Sequence, residues 1–74
     1  LNPKSMAVLA VCEVMPYPHD IARSLGAPFP TISNILRELE RLGYVERSLD
    51  KNDRRKIRIE RTVLGTQKHD EAVQ

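Results

Sequence analysis

The chain has a single cysteine, no tryptophan and only three aromatic residues, Tyr17, Phe29 and Tyr44. A lone thiol, Cys12, cannot close an internal disulfide, which fits a reducing cytoplasm and leaves burial of apolar surface to hold the fold. With so few aromatics, the core has to be aliphatic. Long apolar runs are missing too: Met6 to Cys12 falls far short of the ~20 residues a membrane-spanning helix needs, so no membrane partner is expected. There is no basic start, apolar stretch and small-residue cleavage site of a secretory leader. Because the first residue is Leu1 rather than methionine, the chain reads as processed or as a piece of something longer. Neither a glycine-rich phosphate loop nor a nucleophile motif is present, and 74 residues leave little room for a substrate pocket. No enzyme and no cofactor are expected.

Metal and redox chemistry find little support. His19 and His69 stand 50 residues apart, and neither has a Cys, Asp or Glu at a spacing typical of zinc. The pairs His19-Asp20 and His69-Asp70 read as caps or solvent contacts. Cys12 has no cation within a helical turn, so a buried small hydrophobe is expected there rather than a reactive thiol.

What the chain does have is charge, unevenly placed. The net charge is only +2, yet Lys51 to Arg61 holds six bases (Lys51, Arg54, Arg55, Lys56, Arg58, Arg61) against two acids (Asp53, Glu60). A local positive cluster attracts polyanions whatever the total, although a charge run is often only a solvated surface. One small domain over residues 1–74 is expected. A chain this short buries only about 60% of its unfolded surface, which makes a partner subunit reasonable.

The apolar periodicity divides the chain into elements. Asn2-Pro3 is a helix opening, with a capping side-chain oxygen and a proline where no donor is needed. The helix from Lys4 to Val14 is apolar almost all round, so part of its surface reads as a subunit contact. Met15-Pro16-Tyr17-Pro18 ends it. A short second helix from His19 to Leu25 puts Ile21, Ala22 and Leu25 on one side, and Gly26 stops it. A third helix from Pro30 to Leu42 carries Ile32, Ile35, Leu36, Leu39 and Leu42 at the three-and-four spacing of one buried stripe. Two helices joined by a short glycine-containing turn make a helix-turn-helix.

After Gly43 the period becomes two. Tyr44 to Arg47 and Lys56 to Arg61 read as strands with Val45, Ile57 and Ile59 pointing inward. The intervening Asp50, Asn52 and Asp53 are turn formers, and the span from Tyr44 to Arg61 becomes a β-hairpin with a basic tip. Thr62 can cap a last helix from Val63 to Val73. The fold class is α+β: a winged helix-turn-helix of three helices, a two-stranded hairpin wing and a C-terminal helix.

Projected at about 100° per residue, the third helix shows Pro30, Ser33, Asn34, Arg37 and Arg41 opposite its apolar stripe. Arg can contact guanine bidentately, Asn can do the same with adenine, and Ser reaches bases or phosphates. Pro30, Ser33, Asn34 and Arg37 are the expected base contacts, with Thr31 and Arg41 on the backbone. A polar outer face is also what any surface helix needs. The basic hairpin that follows adds weight, because a wing can lie along the adjoining minor groove, where arginine is favoured. Arg54 and Arg55 are candidates for its tip and Lys51 and Lys56 for flanking phosphates. Double-stranded DNA is the expected partner.

From Asp50 to Gly65 the chain reads DKNDRRKIRIERTVLG, which resembles the wing signature of MarR-type transcriptional regulators. Leu1-Asn2-Pro3 followed by Val8-Leu9, and the segment Thr31 to Val45, are similar to the family's helix before the helix-turn-helix and to its recognition helix. This resemblance implies a dimeric repressor or activator on a partly palindromic site, with repression as the working reading. It also implies a wing aspartate and arginine that pair to shape the loop, and a wing arginine in the minor groove. These roles would fall on Asp50 or Asp53, and on Arg54 or Arg55. The expected homodimer forms through the first and last helices, and the effector is left open. Relatives are usually about twice this length. Arg61 stands where they usually have a buried leucine, so the strand end should be exposed or paired with an acid. Ala27-Pro28-Phe29-Pro30 replaces their polar, capped turn. Two other readings remain open: an architectural or recombination accessory factor of a mobile element, and a winged helix that binds other proteins.

Overall fold

In the computed structural model, which describes residues 1–73, six elements follow one another: α1 (Pro3–Val11), α2 (Pro18–Leu25), α3 (Phe29–Arg41), β1 (Val45–Leu49), β2 (Ile57–Arg61) and α4 (Val63–Val73). Gln74, the last residue of the expected domain, lies outside the described residues. The order is that of a winged helix-turn-helix. None of the described helices is long and apolar enough to cross a membrane.

The caps follow local chemistry. Asn2 Oδ1 accepts from the Ser5 amide at 2.8 Å, satisfying one of the free donors at the start of α1. α1 ends at Val11, three residues short of the expected Val14. The Val14 and Met15 amides both turn to the Val11 carbonyl, at 3.1 and 2.9 Å. Pro16 biases Met15 out of helical geometry, so the last turn tightens and closes early. α3 ends at Arg41 with Leu42 as its C-cap, after which Gly43 (φ +82°) reverses the chain and the Tyr44 amide reaches back to the Leu39 carbonyl at 2.9 Å. Only glycine adopts that backbone without cost, which is how α3 is joined directly to the wing.

Val8 and Leu9 of α1 with Cys12 at its C-cap, Ile21 and Ala22 of α2, Ile32, Leu36 and Leu39 of α3, Val45 and Ile59 form one core. Of the expected α3 stripe, Ile35 and Leu42 lie at its half-buried edge. Leu25, expected beside Ile21, is instead exposed at the end of α2. The wing is an antiparallel pair with Val45 opposite Arg61, Arg47 opposite Ile59 and Leu49 opposite Ile57. These six residues share one face. At the root of the wing that face covers the core, burying Val45 and Ile59. Further out it passes beyond the body, so Ile57, expected to be buried, is 38% exposed. Alternation sets the face, but the extent of the body decides burial.

Arg61 occupies the same inward face at the wing root, and its side chain is only 7% exposed. Its guanidinium pairs with Glu13 just past α1 and donates to the Leu9 carbonyl at 3.5 Å, while Nε has no partner among the described residues. The acid-paired alternative is the one realised. α4 then closes over the junction. The Thr62 hydroxyl donates to the Gly43 carbonyl at 2.6 Å and accepts from the Gly65 amide at 3.0 Å, capping the helix. Gly65 rests so close to Tyr44 that a Cβ there would lie 2.0 Å from the Tyr44 carbonyl oxygen.

Candidate nucleic-acid interface

The polar side of α3 is open to solvent: Pro30, Asn34, Arg37 and Arg41 are exposed, while Ser33 and Thr31 are half-buried. This face is organised rather than loose. Arg37 donates to Asn34 Oδ1 at 3.1 Å, one turn away. Arg41 forms a forked pair with Glu38, 2.9 Å at Nε and 2.5 Å at Nη2. The pair holds the Glu38 carboxyl below its ordinary range and raises Arg41. The start of α3 has no side-chain cap; Pro28 stands at the N-cap, and its carbonyl takes the Thr31 and Ile32 amides at 3.1 and 3.2 Å.

The wing loop is built around Asp50, which is 6% exposed. Its Oδ1 accepts from the Asn52 and Asp53 amides at 2.8 and 2.9 Å, and its Oδ2 accepts from the Tyr17 hydroxyl. That hydroxyl, then the two amides, hold the Asp50 carboxyl below the usual aspartate range; the Tyr17 phenol rises in return. Asp53 takes the next step of the turn, accepting from the Arg55 amide at 3.1 Å and its Nε at 3.0 Å. Chiefly through that side-chain bond, Arg55 lowers the Asp53 carboxyl. Both wing aspartates therefore sit within the loop framework. Arg54 and Lys51 are exposed and, among the described residues, form no ion pair. The Lys56 ammonium lies 5.2 Å from the centre of the Tyr17 ring.

Helix and wing meet in a cleft of about 330 Å³. Ser33 and Leu36 form its α3 wall, Arg47, Arg55, Lys56 and Ile57 its wing wall, and Tyr17 and His19 its floor toward α2. Of the polar and aromatic side chains among these, three were not anticipated as site residues. Arg47 reaches the cleft from β1 and pairs with Glu40 of α3 at 3.2 Å, tying strand to helix. His19 is exposed, as expected, and it also stacks on Phe29 at 4.0 Å between ring centres. Tyr17 sits in a segment that reads locally as nothing more than a helix stop. Cys12 does not line the cleft; it is buried in the core, and burial pushes its thiol up to about 11. Among the described residues no group of three or more His, Cys, Asp or Glu is placed to hold a metal ion.

A sequence profile of the MarR family matches residues 1–56, from the start of the chain into the wing loop. The chain belongs to the MarR family. Among curated proteins none matches it. Solved structures of MarR-type regulators superpose on it closely. FabT of Streptococcus pneumoniae, in complex with DNA, is 28% identical with a TM-score of 0.86, covering 97% of this chain and 52% of FabT. CouR from Rhodococcus jostii RHA1, bound to p-coumaroyl-CoA, is 32% identical with a TM-score of 0.87, over 97% of this chain and 52% of CouR. A variant of MepR from S. aureus, bound to an oligodeoxyribonucleotide, is 26% identical with a TM-score of 0.85, over 99% of this chain and 57% of MepR. This MarR-family chain thus spans about half the length of these relatives. In all of them the match extends through the wing, beyond the reach of the sequence profile.

Proposed function

We propose that this chain is the DNA-binding unit of a cytoplasmic, non-enzymatic transcriptional regulator, with α3 in the major groove and the wing in the adjoining minor groove. One observation carries the reading: the polar side of α3 and the basic wing border the same cleft, with Ser33 on one wall and Arg47, Arg55 and Lys56 on the other. A duplex can meet both at once. The DNA complexes of the FabT and MepR relatives add support.

In this reading Pro30, Ser33, Asn34 and Arg37 address base edges while Thr31 and Arg41 hold phosphates. Arg55, paired with Asp53, shapes the loop together with Asp50. Arg54, carrying no acid partner, is the residue for the minor groove, and Lys51 and Lys56 flank it on phosphates. Residues 1–74 act as one domain. A homodimer through the first and last helices brings two such units to a partly palindromic site, and Val63 and Leu64, exposed on α4, fit that contact. Repression is the working sense of the regulation. An architectural DNA factor would bind without base preference.

A band-shift titration in rising salt tests the class. DNA binding predicts log affinity falling linearly with log salt, with a slope near the number of phosphates contacted. Arg37→Ala should cost about 1–3 kcal/mol on the preferred sequence and little on random DNA. Arg54→Ala with Arg55→Ala should weaken all sequences evenly and flatten the slope. Equal losses from Arg37→Ala on both DNAs would favour the architectural role; no binding at low salt would favour a protein-interaction module.

A further inference from the structure

The strongest feature outside the DNA-contacting residues is the segment between α1 and α2. It grips the wing in three ways. The Pro16 carbonyl accepts from the Ile59 amide at 2.7 Å, adding an extended stretch to the free side of β2. One residue on, the Tyr17 hydroxyl donates to Asp50, 33 residues away in sequence. The same ring carries the Lys56 ammonium on its face. The first contact holds the strand, and the second and third hold the two ends of the wing loop, since the Asp50 amide bonds the Lys56 carbonyl at 3.0 Å across its base.

We infer that Tyr17 is a positioning residue for DNA recognition: through Asp50 it sets where the loop presents Arg54 and Arg55 relative to α3. The inference rests on the DNA-binding reading. Its physical content is that a two-stranded ribbon, marginal by itself, projects past the body with its tip anchored at one buried carboxylate. Asp50 directs the loop through two backbone amides, and its remaining oxygen goes to Tyr17. Because Tyr17 immediately precedes α2, which packs on α3, the anchor ties the tip to the helix-turn-helix body. Without the hydroxyl the loop keeps its internal bonds but loses its fixed distance from the recognition face. The arginines then have to be ordered during binding, which lowers affinity with every DNA contact still available.

The full chain and its Tyr17→Phe variant are titrated with duplex DNA, alone and combined with Arg54→Ala plus Arg55→Ala. Thermal melts and amide exchange are recorded on the free proteins. Phenylalanine keeps the ring and removes only the donor. Expected are a loss of about 3- to 10-fold in affinity from Tyr17→Phe in the native wing, the size of one ordinary intramolecular hydrogen bond, and less than about twofold in the wing variant. In the free protein the Asn52 and Asp53 amides should exchange faster while those of α3 do not change. A general loss of stability would instead weaken both backgrounds equally and speed exchange throughout. Native affinity, an equal loss in both backgrounds, or unchanged exchange at Asn52 and Asp53 overturns the inference. Failure of the unaltered chain to bind DNA sinks the DNA-binding reading, and the exchange measurement still decides whether Tyr17 anchors the loop.

Discussion

α3 and the wing present their charges side by side but are held by different physics. α3 is fixed by Ile32, Leu36 and Leu39, buried against α1 and α2 within one apolar core. Among the described residues the wing has only Val45 and Ile59 in that core, and otherwise it depends on a few polar contacts: Tyr17 with Asp50, Glu40 with Arg47, the Pro16 carbonyl with the Ile59 amide and, at its root, Glu13 with Arg61. Apolar burial is insensitive to pH and tolerant of small shifts. Hydrogen-bonded charge is directional, titratable and lost all at once when one partner goes. A helix face placed by the first and a tip placed by the second should respond differently to the same perturbation.

The largest effect should come from the body. Leu36→Ala opens the core under the cleft and should cost about 2–5 kcal/mol, a large share of the ~4–11 kcal/mol expected for a chain of this size. A urea melt should show helix and wing unfolding together; a helix signal surviving loss of the wing would break the comparison from the side thought stronger. Next is the joint between the two regions. Gly65→Ala drives a methyl against the Tyr44 carbonyl, where backbone has to move, and should cost about 1–3 kcal/mol or more. Thermal melting read at Tyr44 would miss the effect only if α4 can lift from the strand.

The smallest effect sharpens the contrast through pH. Tyr17 and the loop amides lower Asp50, Arg55 lowers Asp53, and Arg41 lowers Glu38. A carboxyl whose folded value is depressed contributes stability that is full above its unfolded value, about 3.9 for aspartate, and is lost as pH falls through the folded value. Two of the three belong to the wing, so acid should loosen the loop before the helices. Asp50→Asn should lower stability at neutral pH and flatten the acid limb of a urea-melt series. An unaltered acid limb would mean that the Asp50 charge contributes nothing.

Sequence patterns were most informative where the physics is local. The i, i+3, i+4 stripe of α3, the caps at Asn2 and Thr62 and the two-residue alternation of the strands all depend on neighbours within a turn, and the fold follows from them. Ile57 marks the first limit, because alternation assigns a face but cannot say where the body beneath it ends. Arg61 marks the second: a charge on an inward face demands an acid, but nothing local selects Glu13, 48 residues away. Tyr17 is the third, since the prolines beside it account for a helix stop so completely that the ring had no further task. Of the candidate site, the open face of α3 and the basic character of the wing were legible. The closure of the cleft by Arg47, Tyr17 and His19 was not, because it exists only once α2, α3 and β1 are folded together.

The extended stretch at Pro16 also bears on how the chain avoids sticking to itself. A two-stranded ribbon has two open edges, each a template for another molecule's strand. At Ile59 of β2 that template is occupied by a segment whose prolines, at 16 and 18, carry no N–H and so cannot pass the ladder on to a further neighbour. Along β1, Glu46 and Arg47 put charge on the remaining edge. Both edges of the protruding ribbon are therefore partly closed to the strand of another molecule.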